Sequence, residues 1–314
     1  MKYLLHGILI FIISAHARSA EQSMDELAVE TTDETTDAST QERGSTETVA
    51  PENTTYSRFS SNEPNYFVGA WDNGGDWHLE FNLSIKYALW PPTASKHKLL
   101  FIYNGTYDFY MESRDSSPVI SRRQNVGPAY QYALGGTPDL PEYEFRAGWY
   151  HESNGQTINN DIDYQAAGEF AIDRVSRGWD YLGLSYMSPL FADLRQHLDL
   201  RFYCDCQGWG ARPREDEIFW EALAEQPKVN DFDGIRWTIN DIELPGNFGI
   251  LRMELKTGNR NISALGNISG KFVFSDFLGF PLNIFYSTGY GREMSTYHER
   301  NSYVGVGIEM QSFR

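Results

Sequence analysis

From His78 onward, apolar and polar residues alternate along the chain with a period of two. Leu79, Phe81, Leu83, Ile85 and Tyr87 interleave with His78, Glu80, Asn82, Ser84 and Lys86. Successive side chains of a strand point to opposite sides, so the pattern predicts strands with one apolar and one strongly polar face. Leu198, Leu200 and Phe202 alternate with Asp199, Arg201 and Tyr203; Leu251, Met253 and Leu255 alternate with Arg252 and Glu254; Val304, Val306, Ile308 and Met310 alternate with Gly305, Gly307 and Glu309. Runs of this kind predict strands at 65–71, 77–89, 98–111, 128–135, 143–153, 179–189, 197–204, 233–243, 247–257, 262–275, 282–290 and 302–312. Their number is even, and their lengths are near the ~9–11 residues that a tilted strand needs to cross a bilayer. A two-sheet sandwich would also give alternating strands.

The N-terminal end separates these alternatives. Residues 1–17 have the form of a secretory signal peptide: Lys2 is the basic start, Leu4 to Ile13 the apolar run and Ala15-His16-Ala17 a small-x-small cleavage site. No later stretch reaches the ~20 apolar residues of a membrane-spanning helix, so any span must be built from strands. Export, an even strand count and aromatic-rich strand ends favour an all-β protein, a twelve-stranded antiparallel transmembrane β-barrel occupying residues 63–314. Residues 18–62, rich in Thr, Ser, Glu and Asp, cannot bury enough apolar surface to fold and are expected to form a disordered acidic leader. That leader carries much of the formal charge of −17, so the acidity says little about the partners of the folded part. No nucleic-acid partner is expected.

With a periplasmic N-terminus, the long connections 112–127, 154–178 and 204–232 fall on the outer side, as is usual for bacterial barrels. Ser116, His151, Ser153, Ser176 and Asp180 then lie at one level, the outer interface. Cys204 and Cys206 are the only cysteines. With one residue between them they would form a strained disulfide ring, which leaves free or externally paired thiols as an equal alternative. Gly208 to Val229, with Arg212, Arg214, Phe219 and Trp220, has the composition of a surface loop with a short helix.

The candidate chemistry sits in two short blocks. On the strand ending at Ser153, Phe145, Ala147, Trp149, His151 and Ser153 share the apolar face, while Arg146, Tyr150 and Glu152 share the polar one. On the next strand Asp180 lies with Leu182, Leu184 and Tyr186. A hydroxyl, an imidazole and a carboxylate thus meet at one end of an apolar wall. Such a set suits a nucleophile, Ser153, a general base, His151, and an orienting acid, Asp180. Spacing alone is a weak signal, because Ser two residues after His on a strand guarantees only a shared face. Glu152 points the other way and is expected to be a structural charge.

The blocks His151-Glu152-Ser153-Asn154-Gly155 and Ser176-Arg177-Gly178-Trp179-Asp180 resemble the two signature blocks of the outer-membrane phospholipase A family. Asp115-Ser116-Ser117-Pro118, Thr288-Gly289-Tyr290-Gly291 and Val304-Gly305-Val306-Gly307 are similar to further stretches of that family, so that the resemblance spans roughly Asn65 to Phe313. It implies a barrel of the bacterial outer membrane whose triad faces the outer leaflet, and calcium-dependent hydrolysis of acyl ester bonds in phospholipids and lysophospholipids. It further implies Gly155 as the backbone N–H donor to the oxyanion, and a homodimer. The implied calcium ligands are Gln156 through its carbonyl oxygen and Ser176 in one protomer, with Ser116 from the second. The dimer contact is expected on the apolar outward faces of the first strands, with Asn104 as a polar contact there. The chain departs from the family twice: the third triad position is Asp180 where the family has Asn, and Gln156 and Ser176 are separated by an insertion. A barrel without catalysis, either a small pore or a structural relative with a decayed site, is the alternative reading.

Overall fold

The period-two pattern becomes a closed sheet. The computed structural model describes residues 58–91, 94–111, 119–136, 141–191, 194–204, 228–258 and 268–310. The signal peptide, the leader up to residue 57, Ser116, Cys206 and nearly all of the 208–229 loop lie outside the described residues. The strands are β1 (Phe59–Ser60), β2 (Asn65–Asp72), β3 (Trp77–Trp90), β4 (His97–Tyr110), β5 (Val119–Leu134), β6 (Tyr143–Ser153), β7 (Gly178–Phe191), β8 (Leu194–Tyr203), β9 (Ile235–Glu243), β10 (Ile250–Thr257), β11 (Ser269–Phe277), β12 (Phe280–Gly289) and β13 (Asn301–Met310). From β2 to β13 each strand pairs antiparallel with the next, and β13 returns to pair with β2. Closure leaves no strand edge open, which is the condition for crossing a bilayer with strands. The short β1 lies along β3, with Phe59 opposite Tyr87, so residues at the very end of the expected leader are tied to the barrel.

The twelve expected strands are present, with one large shift among the described residues; residues 262–267 of the expected strand 262–275 lie outside them. β5 starts at Val119, well ahead of the expected residue 128. Ser121-Arg122-Arg123-Gln124-Asn125 is polar on both faces, so no apolar alternation marks it as strand. Among the described residues no helix is long and apolar enough to cross a membrane.

The barrel is inside-out relative to a water-soluble fold. Phe67, Leu83, Phe101, Trp149, Leu182, Val304 and Val306 stand exposed on the outer wall, while Glu80, His78, Asp108, Glu152 and Asp233 are buried. Glu80, Arg146, Glu152, Arg201, Arg252 and Glu254 line the lumen, as their position in the alternation predicts. Buried charges are tolerable only when paired, and here they are: Arg292 with Glu80, Arg252 with Glu309, Arg146 with Glu144 at 2.5 Å, and Arg123 with Glu152 at 2.6 Å. A cavity of about 360 Å³ remains between them. At the end carrying His151 and Ser153, residues 228–234 ahead of β9 and the β12–β13 connection pack together on the lumen side. Phe232 from the β8–β9 connection stacks on Tyr290 from the β12–β13 connection at 4.3 Å, and Tyr297 packs edge-on against Trp179 at 5.8 Å.

Candidate active site

Strand register sets the site. β6 and β7 pair so that His151 faces Asp180, Glu152 faces Trp179 and Ser153 faces Gly178. Alternation then turns His151, Ser153 and Asp180 to the outer wall, and Glu152 and Trp179 to the lumen. His151 Nδ1 lies 2.9 Å from Asp180 Oδ1, with the imidazole side chain half exposed and the carboxylate about a quarter exposed. A carboxylate on Nδ1 fixes the ring and its tautomer, leaving Nε2 to exchange protons. Ser153 is the next outward residue of β6, roughly 6.6 Å along the strand. Among the described residues no hydrogen bond joins it to His151, a looseness common before substrate binds. Trp149 and Leu182 pair across the same two strands one step further along, and both are exposed on the wall.

Just beyond β6 the chain is held by a residue that spacing did not single out. The buried Asn154 side chain donates from Nδ2 to the Val175 carbonyl at 2.7 Å and accepts at Oδ1 from the N–H groups of Arg177, at 2.9 Å, and Gln156, at 3.3 Å. Its own N–H donates to the Arg177 carbonyl at 3.1 Å. One amide thus joins the two sequence blocks. Gly155 follows in the left-handed region at φ +58° with open space around it, a conformation that costs other residues strain. The insertion 157–175 leaves and returns at one place, because Ile158 and Val175 form a parallel bridge and Ser176 N–H donates to the Ile158 carbonyl at 2.7 Å. Between these points run the short helix α1 (Asp161–Ala166), capped by Asn160, and a 3-10 turn.

No family model matches the sequence, and no curated protein matches it. Solved structures do. Outer membrane phospholipase A from Escherichia coli superposes with a TM-score of 0.57 at 14% identity, over 80% of this chain and 91% of that one. The Salmonella typhi outer membrane phospholipase dimer with bound calcium gives 0.59 at 14% identity, over 83% and 94%. This chain has the outer membrane phospholipase A fold.

Within the phospholipase A fold, the expected calcium ligands can be compared with the residues in place. The closed base of the insertion brings Gln156 and Ser176 to the two sides of the Asn154 amide, both partly exposed. Their carbonyl and hydroxyl oxygens are hard donors of the kind calcium takes. Two of the three expected ligands are thus of the right donor type and lie at the base of the insertion; the third, Ser116, lies outside the described residues. Elsewhere, His78, Glu80 and Asp108 cluster inside the lumen, but the Arg292 guanidinium bonds Glu80 and approaches His78 Nε2 at 3.3 Å, which supplies that cluster with its cation.

One expectation changes. Asn104 does not face lipid: it accepts from Asn62 Nδ2 at 3.2 Å and from Ser84 Oγ at 2.5 Å, and lines the lumen. In Leu99-Leu100-Phe101-Ile102-Tyr103 both faces are apolar, so the sequence does not disclose which one turns outward. Glu152 points inward as expected, yet it is tied to the site itself. Its Oε2 accepts the Trp179 indole N–H at 2.7 Å. Cys204 sits beside Asp180, its N–H donating to the Asp180 carbonyl at 3.0 Å.

Proposed function

We propose that this protein is a calcium-dependent outer-membrane phospholipase A. It hydrolyses acyl ester bonds of phospholipids and lysophospholipids in the outer leaflet, working as a homodimer with Ser153, His151 and Asp180 as its triad. The observation that carries this reading is the 2.9 Å contact between His151 Nδ1 and Asp180 Oδ1 on an exposed apolar wall that also presents Ser153. An outward triad serves a substrate that arrives through the bilayer, and Trp149 and Leu182 offer its acyl chain an apolar approach. The likeness in fold to a phospholipase solved as a dimer with bound calcium supports the same reading. A pore is disfavoured by the ion pairs across the lumen and by the packing of residues 228–234 with the β12–β13 connection on the lumen side.

In the first step His151 Nε2 takes the proton of Ser153 as its Oγ attacks the acyl carbonyl carbon, and Asp180 stabilises the imidazolium. The Gly155 N–H donates to the oxyanion, where preorganised donors contribute most. His151 returns the proton to the leaving alcohol oxygen, releasing the lyso product, and then activates a water that cleaves the acyl-serine. Gln156 and Ser176, with Ser116 of the second protomer, would hold calcium, which supplies positive charge next to the ester oxygen.

Phospholipid hydrolysis by the purified protein in detergent with calcium tests the proposal. Ser153→Ala should lower it by at least about a thousandfold, as removal of a nucleophile does, while heat-modifiable gel migration, the mark of an intact barrel, stays unchanged. Equal hydrolysis by parent and variant would remove Ser153 from the mechanism.

A further inference from the structure

We propose that Glu152 is a positioning residue for the triad, holding β6 and β7 in catalytic register from the lumen side through Trp179. The inference rests on the reading of Ser153, His151 and Asp180 as the catalytic set. Glu152 lies between His151 and Ser153 on β6 and points the opposite way; Trp179 directly precedes Asp180 on β7 and is its cross-strand partner. The bond from Trp179 Nε1 to Glu152 Oε2, 2.7 Å long, is therefore one residue from all three triad members. His151 and Asp180 join the strands on the outside, and Glu152 and Trp179 join them at the adjacent pair on the inside. A slip or splay of β7 against β6 would have to break both.

The chemistry of the site calls for a carboxylate. Glu152 is 1% exposed, and each of its oxygens accepts from a different donor: Oε1 from Arg123 Nε at 2.6 Å, Oε2 from the Trp179 indole and, at 3.4 Å, from Arg201 Nη1. A glutamine has a single acceptor oxygen, so its NH2 group would face either a guanidinium or an indole N–H, donor against donor. Arg123 carries the restraint further, donating to the Gly291 carbonyl at 2.8 Å and pairing with Asp233 at 3.4 Å. The strut is thus anchored on both segments that pack together on the lumen side. Register sets Trp179 opposite Glu152, so this ion-paired carboxylate is tied through the indole to the residue next to Asp180.

The test uses the full-length protein in detergent with calcium and a lysophospholipid, measuring kcat and KM separately. A misplacement of about 1 Å can cost roughly a hundredfold in rate. Glu152→Gln should therefore lower kcat about tenfold and Glu152→Ala about a hundredfold, with KM within about twofold of the parent. Trp179→Phe, which removes only the donor, should match Glu152→Gln. The double variant should be no slower than the slower single, because both act through one bond. Glu309→Gln breaks a lumen ion pair with Arg252 and should leave kcat unchanged. Unimpaired kcat in Glu152→Gln or Trp179→Phe, fully additive losses, or an equal loss in Glu309→Gln would each overturn the positioning role. If Glu152→Gln fails to assemble, Trp179→Phe decides alone. A parent protein that hydrolyses no lipid overturns the phospholipase reading and the positioning role with it; an active parent with unimpaired variants overturns only the latter.

Discussion

Asp180 is the residue at which the chain parts from the family its sequence resembles. Either Asp or Asn can accept a hydrogen bond from His151 Nδ1, but only Asp sets a negative charge beside the imidazolium formed during attack. Asp180→Asn should keep kcat/KM within about tenfold of the parent, since the partly exposed amide can turn its oxygen to the ring. Asp180→Ala should lose about a hundredfold or more, because the ring then has no orienting partner. If Asp180→Ala matches the parent, Asp180 is not the third member. The placements that could be read from the sequence were those that depend only on parity along one strand: His151 and Ser153 on the outer wall by alternation, Asp180 by its place at the head of the next apolar stripe. Asn154 and the Glu152–Trp179 bond could not be read that way. Their partners lie more than twenty residues away, and only the register of two strands decides who meets whom.

At the scale of elements, strands with one apolar face were legible and polar ones were not, which is why the start of β5 was missed. The segments packed together on the lumen side were equally hidden, because their anchors are charges that meet only in the closed barrel. Asp233 shows how strongly they are held. Burial would push its carboxyl up, but Arg236, at 2.8 and 2.5 Å, and Arg201, at 3.6 Å, outweigh this and hold it well below the usual carboxylate range. A folded-state value below the unfolded one means stability that is present above about pH 4 and lost as pH falls through the folded value. Asp233→Asn should cost about 3 kcal/mol at pH 7, where it leaves buried guanidinium groups short of a partner. The penalty should shrink below about pH 4. Unfolding temperatures read from heat-modifiable migration at pH 7 and pH 3 check this, and an equal penalty at both would show that charge is not what holds the connection.

For the whole molecule, the inside-out arrangement was the most legible feature, because lipid on one side and a charged lumen on the other enforce period two in most of the strands. The pairing of lumen charges was not legible, since any cation could in principle meet any anion. The assembly makes its own prediction. If calcium is held by Gln156, Ser176 and a second protomer's Ser116, chelation should abolish hydrolysis, and Ser176→Ala should raise the calcium concentration for half-maximal activity by about tenfold or more, the scale of losing a ligand contact of ~1.4 kcal/mol. Crosslinked dimers should outperform monomers at saturating calcium; equal specific activities would contradict a shared site.

The most direct measurement is covalent. The protein is treated, in detergent with calcium, with a serine-reactive organophosphorus fluoride, and the adduct is located by mass spectrometry alongside residual phospholipid hydrolysis. The account predicts one adduct, on Ser153, formed in step with loss of hydrolysis and absent from His151→Ala. Hydrolysis that persists with Ser153 fully modified, or an adduct that inactivates the protein from another residue, would contradict it.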